Sequence, residues 1–227
     1  MRGNFLNRIL TSIFLLIIFL FCLFSQKILW TFLLITAAIL SFFEFNNLVK
    51  KKFKNNQNNI LSFNILSFFY LCLFVFVGYD LYSSPPLYLL FVLLICIFSD
   101  TGGYIVGKLV GGRKLTSISP NKTISGSIGS FVFSTIPAFA FLSIYNKTGN
   151  LIFYSENLSL LITKCIFLSL ICQLGDLFIS YFKRQANVKD TGSLLPGHGG
   201  LLDRIDGMIF AFPFSYIIFK INIFSIF

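Results

Sequence analysis

The stretch Ile60–Tyr79, ILSFNILSFFYLCLFVFVGY, decides the class of fold, because it is long, apolar and free of Asp, Glu, Lys and Arg. A bilayer core about 30 Å thick requires about 20 predominantly apolar residues in one helix. The whole chain is 56% hydrophobic and only 11% charged, whereas soluble domains are about 25% charged. The composition therefore predicts an all-α, polytopic transmembrane helical bundle.

Apolar runs between polar breaks predict about seven spans. The runs are Ile9–Phe24, Ile28–Val49, Ile60–Tyr79, Pro86–Val106, Ile124–Tyr145, Leu158–Phe182 and Gly207–Phe224. The first run is interpreted as an uncleaved span, because Cys22–Gln26 offers no small-x-small cleavage site. We expect residues 1–227 to form a single integral-membrane domain, with catalytic cytoplasmic loops around residues 100–126 and 176–206.

The basic residues predict the orientation of these spans. With Arg2 and Arg8 on the cytoplasmic side, alternation places fourteen Lys and Arg on that side and four on the other, as the positive-inside rule requires. This distribution also accounts for the net charge of +10. Nucleic-acid binding is not expected, since no basic and aromatic stripe is present. We expect a bacterial inner membrane, with an organelle membrane as the alternative.

The five cysteines, Cys22, Cys72, Cys96, Cys165 and Cys172, predict neither a zinc site nor disulfides. All lie in apolar runs, none forms a CxxC pair, and none is near His198, the only histidine. Packing inside the bundle is their expected role.

The acidic residues point to a site. Asp176 lies inside an apolar run, where a carboxylate costs several kcal/mol unless it is paired or faces a polar cavity. A plain intrahelical ion pair with Lys183 or Arg184 is the alternative. Asp203 and Asp206 share one face at the start of the last helix, where capping is the alternative. The three carboxylates together would form the oxygen-rich pocket that Mg²⁺ prefers.

Two glycine-rich segments suit phosphate groups. Pro196–Gly200 precedes the last helix, and a helix N-terminus favours anions. There, His198 would orient a phosphate or transfer a proton; a hydrogen bond within the turn is the alternative. The segment after Ser99 is rich in Gly, hydroxyl and cationic residues but lacks the P-loop pattern. It suits a nucleoside triphosphate, with an ordinary solvated loop as the alternative. The candidate contacts are Asp100, Lys114, Ser119, Lys122 and Thr123.

The pattern Ser180-x-x-Lys183-Arg184-x4-Lys189-Asp190-x-Gly192-x3-Pro196-Gly197-His198-Gly199-Gly200-x2-Asp203-Arg204-x-Asp206 resembles the C-terminal motif of the phosphatidate cytidylyltransferase (CDP-diacylglycerol synthase) family. Asp100–Tyr104 and Ser119–Thr123 resemble a second stretch of that family. Where the family often has Trp-Glu-Gly, this chain has Ile124-Ser125-Gly126. An acid is therefore missing there, and the effect of Ser125 stays open.

The resemblance implies that the chain transfers CMP from CTP to phosphatidic acid, giving CDP-diacylglycerol and pyrophosphate. It implies that Asp176 and Asp203 hold a catalytic metal, with Asp206 as a further acidic member. Magnesium is the implied ion, with a monovalent cation such as K⁺ as an optional second occupant. The catalytic residues that it implies are Asp176, Lys183, Arg184, Lys189, Asp190, His198, Asp203, Arg204 and Asp206.

Three other functions stay open. A CTP-dependent lipid-alcohol kinase would release CDP instead of pyrophosphate. A CDP-alcohol phosphotransferase is disfavoured, because its DGxxAR…GxxxDxxxD pattern is absent from the sequence. A transporter using Asp176 as an ion site is disfavoured by the lack of inverted repeats. Membrane lipids are expected partners, and a homodimer is compatible with the sequence.

Overall fold

A computed structural model describes residues 2–54, 56–83, 87–148, 158–195, 197 and 199–219. Over these ranges the chain forms eight α-helices and no β-strand, with two isolated antiparallel bridges. The helices are α1 (Arg2–Phe24), α2 (Lys27–Lys52), α3 (Gln57–Ser83), α4 (Leu87–Val110), α5 (Ile124–Ser134), α6 (Ile136–Thr148), α7 (Leu158–Gln185) and α8 (Leu202–Phe219). The predicted all-α fold is confirmed, as expected where lipid offers the backbone no hydrogen bonds.

Among the described residues, five stretches of helix are long and apolar enough to cross a membrane, which makes the chain an integral membrane protein. They are Lys27–Lys52, Gln57–Tyr82, Tyr88–Val110, Ile124–Leu142 and Leu158–Gln185. Large apolar side chains such as Leu66 and Phe69 lie exposed on α3, as lipid-facing residues do. The apolar part of α1, Ile13–Phe24, is shorter, and the last predicted run extends beyond the described residues. The count of seven and the orientation stay predictions.

The fifth predicted run is interrupted at Thr135, where α5 ends and α6 begins. Pro137 lies in the first turn of α6. Proline has no backbone N–H, and its ring clashes with the carbonyl four residues earlier in a continuous helix. The chain instead uses shorter-range bonds, with the N–H of Ala138 donating to the carbonyl of Thr135 over 3.0 Å.

The chain divides into two compact units, and the expectation of a single integral-membrane domain stays a prediction. Unit 1 comprises Met1–Ser83 and Ile179–Asp206. Within it, α2 and α3 are joined by Trp30, which is 1% exposed and donates its indole N–H to the carbonyl of Gly78 over 3.0 Å. At the other end of α2, Phe182 packs between Phe45 and Phe63, with ring centroids 5.0 and 5.4 Å away.

Unit 2 comprises Ser84–Phe178 and Gly207–Phe227. Its helices α4 and α5 approach closely because glycines face each other at their contact. A β-carbon on Gly129 would lie 2.5 Å from Cβ of Val106 and 2.8 Å from the carbonyl oxygen of Gly102. A β-carbon on Gly126 would lie 2.8 Å from the carbonyl oxygen of Gly103. These backbone contacts allow the segment that joins α4 and α5 to fold back over a short distance.

Gly129→Ala is expected to destabilise the protein by about 1–3 kcal/mol, the usual cost of overpacking. The added methyl would meet the backbone of α4, which cannot rotate away. Gly207→Ala is the matched control, because a β-carbon there would lie 3.5 Å from Cys172, in ordinary contact. Thermal unfolding midpoints in detergent measure both variants. Equal midpoints for the two variants would contradict the close contact of α4 and α5.

Candidate active site

The segment that follows α7 begins with a defined helix C-cap. The N–H of Val188 donates to the carbonyl of Lys183 over 3.0 Å, and the N–H of Asn187 donates to that of Arg184 over 3.1 Å. Asn187 has a φ of 54°, so the residues form a Schellman motif with Asn in the left-handed position. This cap ends α7 just after Lys183 and Arg184 and sends the chain towards Lys189.

Lys183 and Asp203 form an ion pair within unit 1. The Nζ–Oδ1 distance is 2.6 Å, and the side chains are 14% and 9% exposed. The other oxygen of Asp203, Oδ2, accepts hydrogen bonds from the N–H of Thr191 over 2.8 Å, from the hydroxyl of Thr191 over 3.0 Å and from the N–H of Gly200 over 3.3 Å. Both oxygens of this carboxylate therefore have protein donors.

These contacts set the protonation state of Asp203. Burial alone would raise the pKa of this carboxyl, but the hydrogen bonds from Lys183 and Thr191 and the charge of Lys183 outweigh it and hold the pKa below its usual range. Asp203 also lies in the first turn of α8, where the helix dipole favours a negative charge. The residue is thus ionised at neutral pH.

Glu44 of α2 also holds this segment, although it was not among the site residues predicted from the sequence. Its carboxylate accepts hydrogen bonds from the hydroxyl of Thr191 and from the N–H groups of Leu201 and Leu202, at 2.8, 3.0 and 2.9 Å. Glu44 is only 7% exposed. The cost of a carboxylate inside an apolar run was the available signal, since Glu44 lies in the run Ile28–Val49.

Asp176 and Lys122 form the corresponding ion pair of unit 2. The Nζ–Oδ2 distance is 2.5 Å, and the side chains of Lys122 and Asp176 are 27% and 34% exposed. Asp100, near the middle of α4, lies within electrostatic range of both. The structure therefore brings together three predicted site residues from α4, the α4–α5 segment and α7. Lys122, which pairs with Asp176, lies in the segment between α4 and α5.

The segment between α4 and α5 is built by its own hydrogen bonds. Lys114 and Thr123 form an isolated antiparallel bridge, and the N–H of Lys122 donates to the carbonyl of Ser119 over 3.1 Å. The hydroxyl of Thr123 caps α5 by accepting from the N–H of Gly126 over 3.0 Å. Ser125 donates to the carbonyl of Gly111. Ser125, at the position of the missing acid, thus closes this segment.

The remaining predicted residues are placed as follows. Arg184, Lys189, Asp190 and Arg204 are exposed, and Asp206 is half-buried in α8. Asp190 packs against Gly199. A β-carbon added to Gly199 would lie 3.0 Å from the Cβ of Asp190. His198 lies outside the described residues, so its predicted role stays a prediction.

A chain of polar side chains inside unit 2 was not predicted from the sequence. The hydroxyls of Ser99 and Ser169 are 2.8 Å apart, Gln173 donates to Ser169 over 3.4 Å, and Ser127 donates to Gln173 over 2.5 Å. Ser99 and Ser169 are fully buried. These hydrogen bonds link α4, α5 and α7 inside unit 2.

The predicted metal site is compatible with the chemistry of these residues. Within either unit, the described residues contain no group of three His, Cys, Asp or Glu that would hold an ion. Asp176 belongs to unit 2, and Asp203 and Asp206 belong to unit 1. Asp176 and Asp203 each already contact a cation, the ammonium of a lysine. Carboxylate oxygens are also the donors that Mg²⁺ prefers, so the donor set fits the ion.

The chain is similar in sequence to known proteins. Its relatives include the proteins named phosphatidate cytidylyltransferase of three Staphylococcus species. That of Staphylococcus aureus (strain COL) is 40% identical over 153 residues, which cover 67% of this chain and 56% of the relative. That of Staphylococcus haemolyticus is 45% identical over 127 residues, which cover 56% of this chain and 46% of the relative. That of Staphylococcus saprophyticus is 38% identical over 183 residues, which cover 75% of this chain and 67% of the relative. The chain thus spans little more than half the length of the first of these.

A family model described as the cytidylyltransferase family matches residues 53–222. The matched region includes α4, α5 and α7, both lysine–aspartate pairs and the segment from Thr191 to Asp203. It covers most of the chain, and the chain belongs to the cytidylyltransferase family.

Proposed function

We propose that this protein is a phosphatidate cytidylyltransferase, a nucleotidyltransferase that makes CDP-diacylglycerol for phospholipid biosynthesis. Its substrates would be CTP and phosphatidic acid, and its products CDP-diacylglycerol and pyrophosphate. The observation that carries the proposal is the match to the cytidylyltransferase family over residues 53–222. The shared name of the relatives specifies the lipid substrate.

The proposed site lies on the cytoplasmic face of a bacterial inner membrane, with seven spans and a cytoplasmic N-terminus. The distribution of Lys and Arg along the sequence supports this orientation. It places the α4–α5 segment and the segment after α7 on the side where CTP and magnesium are available. The proposal includes a homodimer of this chain.

The proposed reaction is an in-line displacement. A phosphate oxygen of phosphatidic acid attacks the α-phosphorus of CTP, a new P–O bond forms, and the bond from the α-phosphorus to the β-phosphate oxygen breaks. Pyrophosphate leaves with that electron pair. The attacking phosphate is already ionised, so no general base is needed, and catalysis comes from positioning and charge stabilisation.

The cationic residues of the chain would supply this charge stabilisation. In unit 1 they are Lys183, Arg184, Lys189 and Arg204, and in unit 2 they are Lys114 and Lys122. Ser119 and Thr123 belong to the same segment as Lys122. Thr123 would contact the triphosphate through its backbone, because its hydroxyl caps α5, and Ser119 would do so through its hydroxyl, because its N–H donates to Thr116. His198 would orient the phosphates, and Asp190 is a further residue of the proposed catalytic set.

Asp176 and Asp203, with Asp206 as a further acid, would hold Mg²⁺, and K⁺ would be an optional second ion. When bound, a divalent ion neutralises phosphate oxygens and the charge that develops on the leaving group. Oδ2 of Asp176 and Oδ1 of Asp203 are the oxygens that contact lysine ammonium groups. The ion would therefore compete with Lys122 and Lys183 for these oxygens.

The first test is the reaction itself. The purified protein in mixed micelles with phosphatidic acid and labelled CTP should produce a CDP-lipid and release one pyrophosphate for each lipid formed. Thin-layer chromatography and a pyrophosphate assay measure the two products. Release of CDP with a phosphorylated lipid alcohol would instead establish a kinase, and flux in proteoliposomes without lipid turnover would establish a transporter.

The second test separates activity from stability at the two aspartates. Asp176→Asn and Asp203→Asn should both abolish CDP-lipid formation. Asp203→Asn should destabilise the protein by about 3 kcal/mol. It breaks the buried ion pair with Lys183, and it places an amide N–H₂, itself a donor, among the donors that now face the carboxylate. Asp176→Asn should cost only about 1 kcal/mol, because its pair is partly exposed. Thermal unfolding in detergent provides the stability comparison.

Near-wild-type turnover in both aspartate variants would refute the assignment of these residues. Asp80→Asn, a carboxylate of α3 outside the proposed machinery, is the control that should retain activity.

The third test is metal removal. EDTA should abolish CDP-lipid formation, and added Mg²⁺ should restore it, because the phosphates and the acidic residues need a divalent counter-ion. Titration of Mg²⁺ against wild type and Asp206→Asn measures the apparent affinity. Full activity after exhaustive chelation would contradict the requirement for a divalent ion.

A further inference from the structure

The carboxylate of Glu44 is the most fully engaged acidic group of unit 1 that the proposed reaction does not use. Glu44 lies on α2, before the matched region 53–222, and is 7% exposed. A buried carboxylate without donors costs several kcal/mol. Retaining it on an otherwise apolar stretch of helix therefore indicates a specific task.

Glu44 caps the N-terminus of α8 from another helix. The first N–H groups of a helix have no partner within it, and a neighbouring Ser, Thr, Asp or Asn usually supplies one. Here Leu201 precedes the helix, and a leucine side chain cannot accept a hydrogen bond. Oε1 of Glu44 accepts from the N–H of Leu201 over 3.0 Å, and Oε2 accepts from that of Leu202 over 2.9 Å.

Two glycines of the motif segment make room for this carboxylate. A β-carbon on Gly192 would lie 2.7 Å from Oε1 of Glu44. A β-carbon on Gly200 would overlap both Oε2 of Glu44 and Oγ1 of Thr191. Neither glycine is among those with a positive φ. The space taken by Glu44, and not an unusual backbone conformation, therefore explains why these positions are glycine.

Thr191 connects Glu44 to Asp203. Its hydroxyl lies 2.8 Å from Oε2 of Glu44 and 3.0 Å from Oδ2 of Asp203, and its backbone N–H donates to the same oxygen of Asp203 over 2.8 Å. Asp203 in turn holds Lys183. A displacement of the Glu44 carboxylate would therefore move the residues that carry the charge chemistry of unit 1.

We propose that Glu44 is a positioning residue, which fixes the segment from Thr191 to Leu202 so that Asp203 and Lys183 take their working geometry. This inference rests on the proposed function for its effect on turnover. Its structural part, the anchoring of the segment to α2, is independent of the reaction.

The experiment combines turnover with proteolysis of the full-length protein in detergent. Glu44→Gln keeps the volume of the side chain but places an N–H₂ group against N–H and O–H donors. Glu44→Asp keeps the charge on a shorter side chain. Asn46→Ala is the matched control, because Asn46 lies on the same helix and accepts a hydrogen bond from Asn64 of α3. Trypsin cleavage after Lys189, which is exposed, reports how firmly the segment is held.

Glu44→Gln should be cleaved faster after Lys189 than wild type, and its kcat should fall about 10- to 100-fold, as small misplacements of catalytic groups do. The KM for CTP should change little, and Glu44→Asp should recover part of the kcat. Asn46→Ala should match wild type in both measurements. Each kcat is calculated per amount of folded protein, as measured by size-exclusion chromatography. A loss of folded protein alone therefore does not lower the kcat.

Wild-type kcat and wild-type cleavage in Glu44→Gln would overturn the proposal. Faster cleavage with an unchanged kcat would also overturn it, because the segment would then be anchored without positioning the site. If Glu44→Gln does not fold, Thr191→Val takes its place, because it removes the hydroxyl that joins the two carboxylates. An unchanged kcat in Thr191→Val would also overturn the proposal. If wild type forms no CDP-lipid, the proposed function fails, and proteolysis alone decides whether Glu44 holds the segment.

Discussion

The structure depends on providing donors for carboxylates inside a chain that is otherwise almost entirely apolar. Water meets this need at little cost in a soluble protein, but a membrane-embedded helix must meet it from the protein itself. Glu44, inside the run Ile28–Val49, meets it with two backbone N–H groups and a threonine hydroxyl. Asp203, which precedes the run Gly207–Phe224, shares that threonine and also pairs with a lysine. The segment after α7 has the conformation that satisfies both acids, and its path follows from their positions.

The helices could be predicted from the sequence because their signal is local. Several apolar runs give helices within a few residues of their expected ends, as α2 at Lys27–Lys52 and α7 at Leu158–Gln185 show. The interruption at Thr135 is also local, and Pro137 could have indicated it. Whether seven runs cross a bilayer is a different question, because it depends on the surroundings of the helices and not on their backbone conformation.

The ionic partners could not be predicted in the same way. Spacing along the chain gives no sign that Asp176 pairs with Lys122 or that Lys183 pairs with Asp203. Both choices depend on how a loop folds back, and that is decided by glycine contacts and caps. Gly126 and Gly129 bring α5 against α4, and Asn187 turns the chain after α7. Sequence spacing selects the candidate residues, whereas tertiary packing selects their partners.

Glu44 shows where sequence reasoning from motifs stops. The intramembrane cost that singles out Asp176 applies equally to Glu44, but Glu44 lies far along the chain from the glycine-rich segment that it holds. From the sequence, Gly200 belongs to a glycine-rich segment that suits phosphate groups, and Gly192 is only a position of the motif. Their surroundings give a different reason, since a side chain at either position would displace the Glu44 carboxylate. A glycine in a catalytic motif can therefore mark the place of a supporting side chain from elsewhere in the fold, and a search for the nearest buried acid is the way to find it.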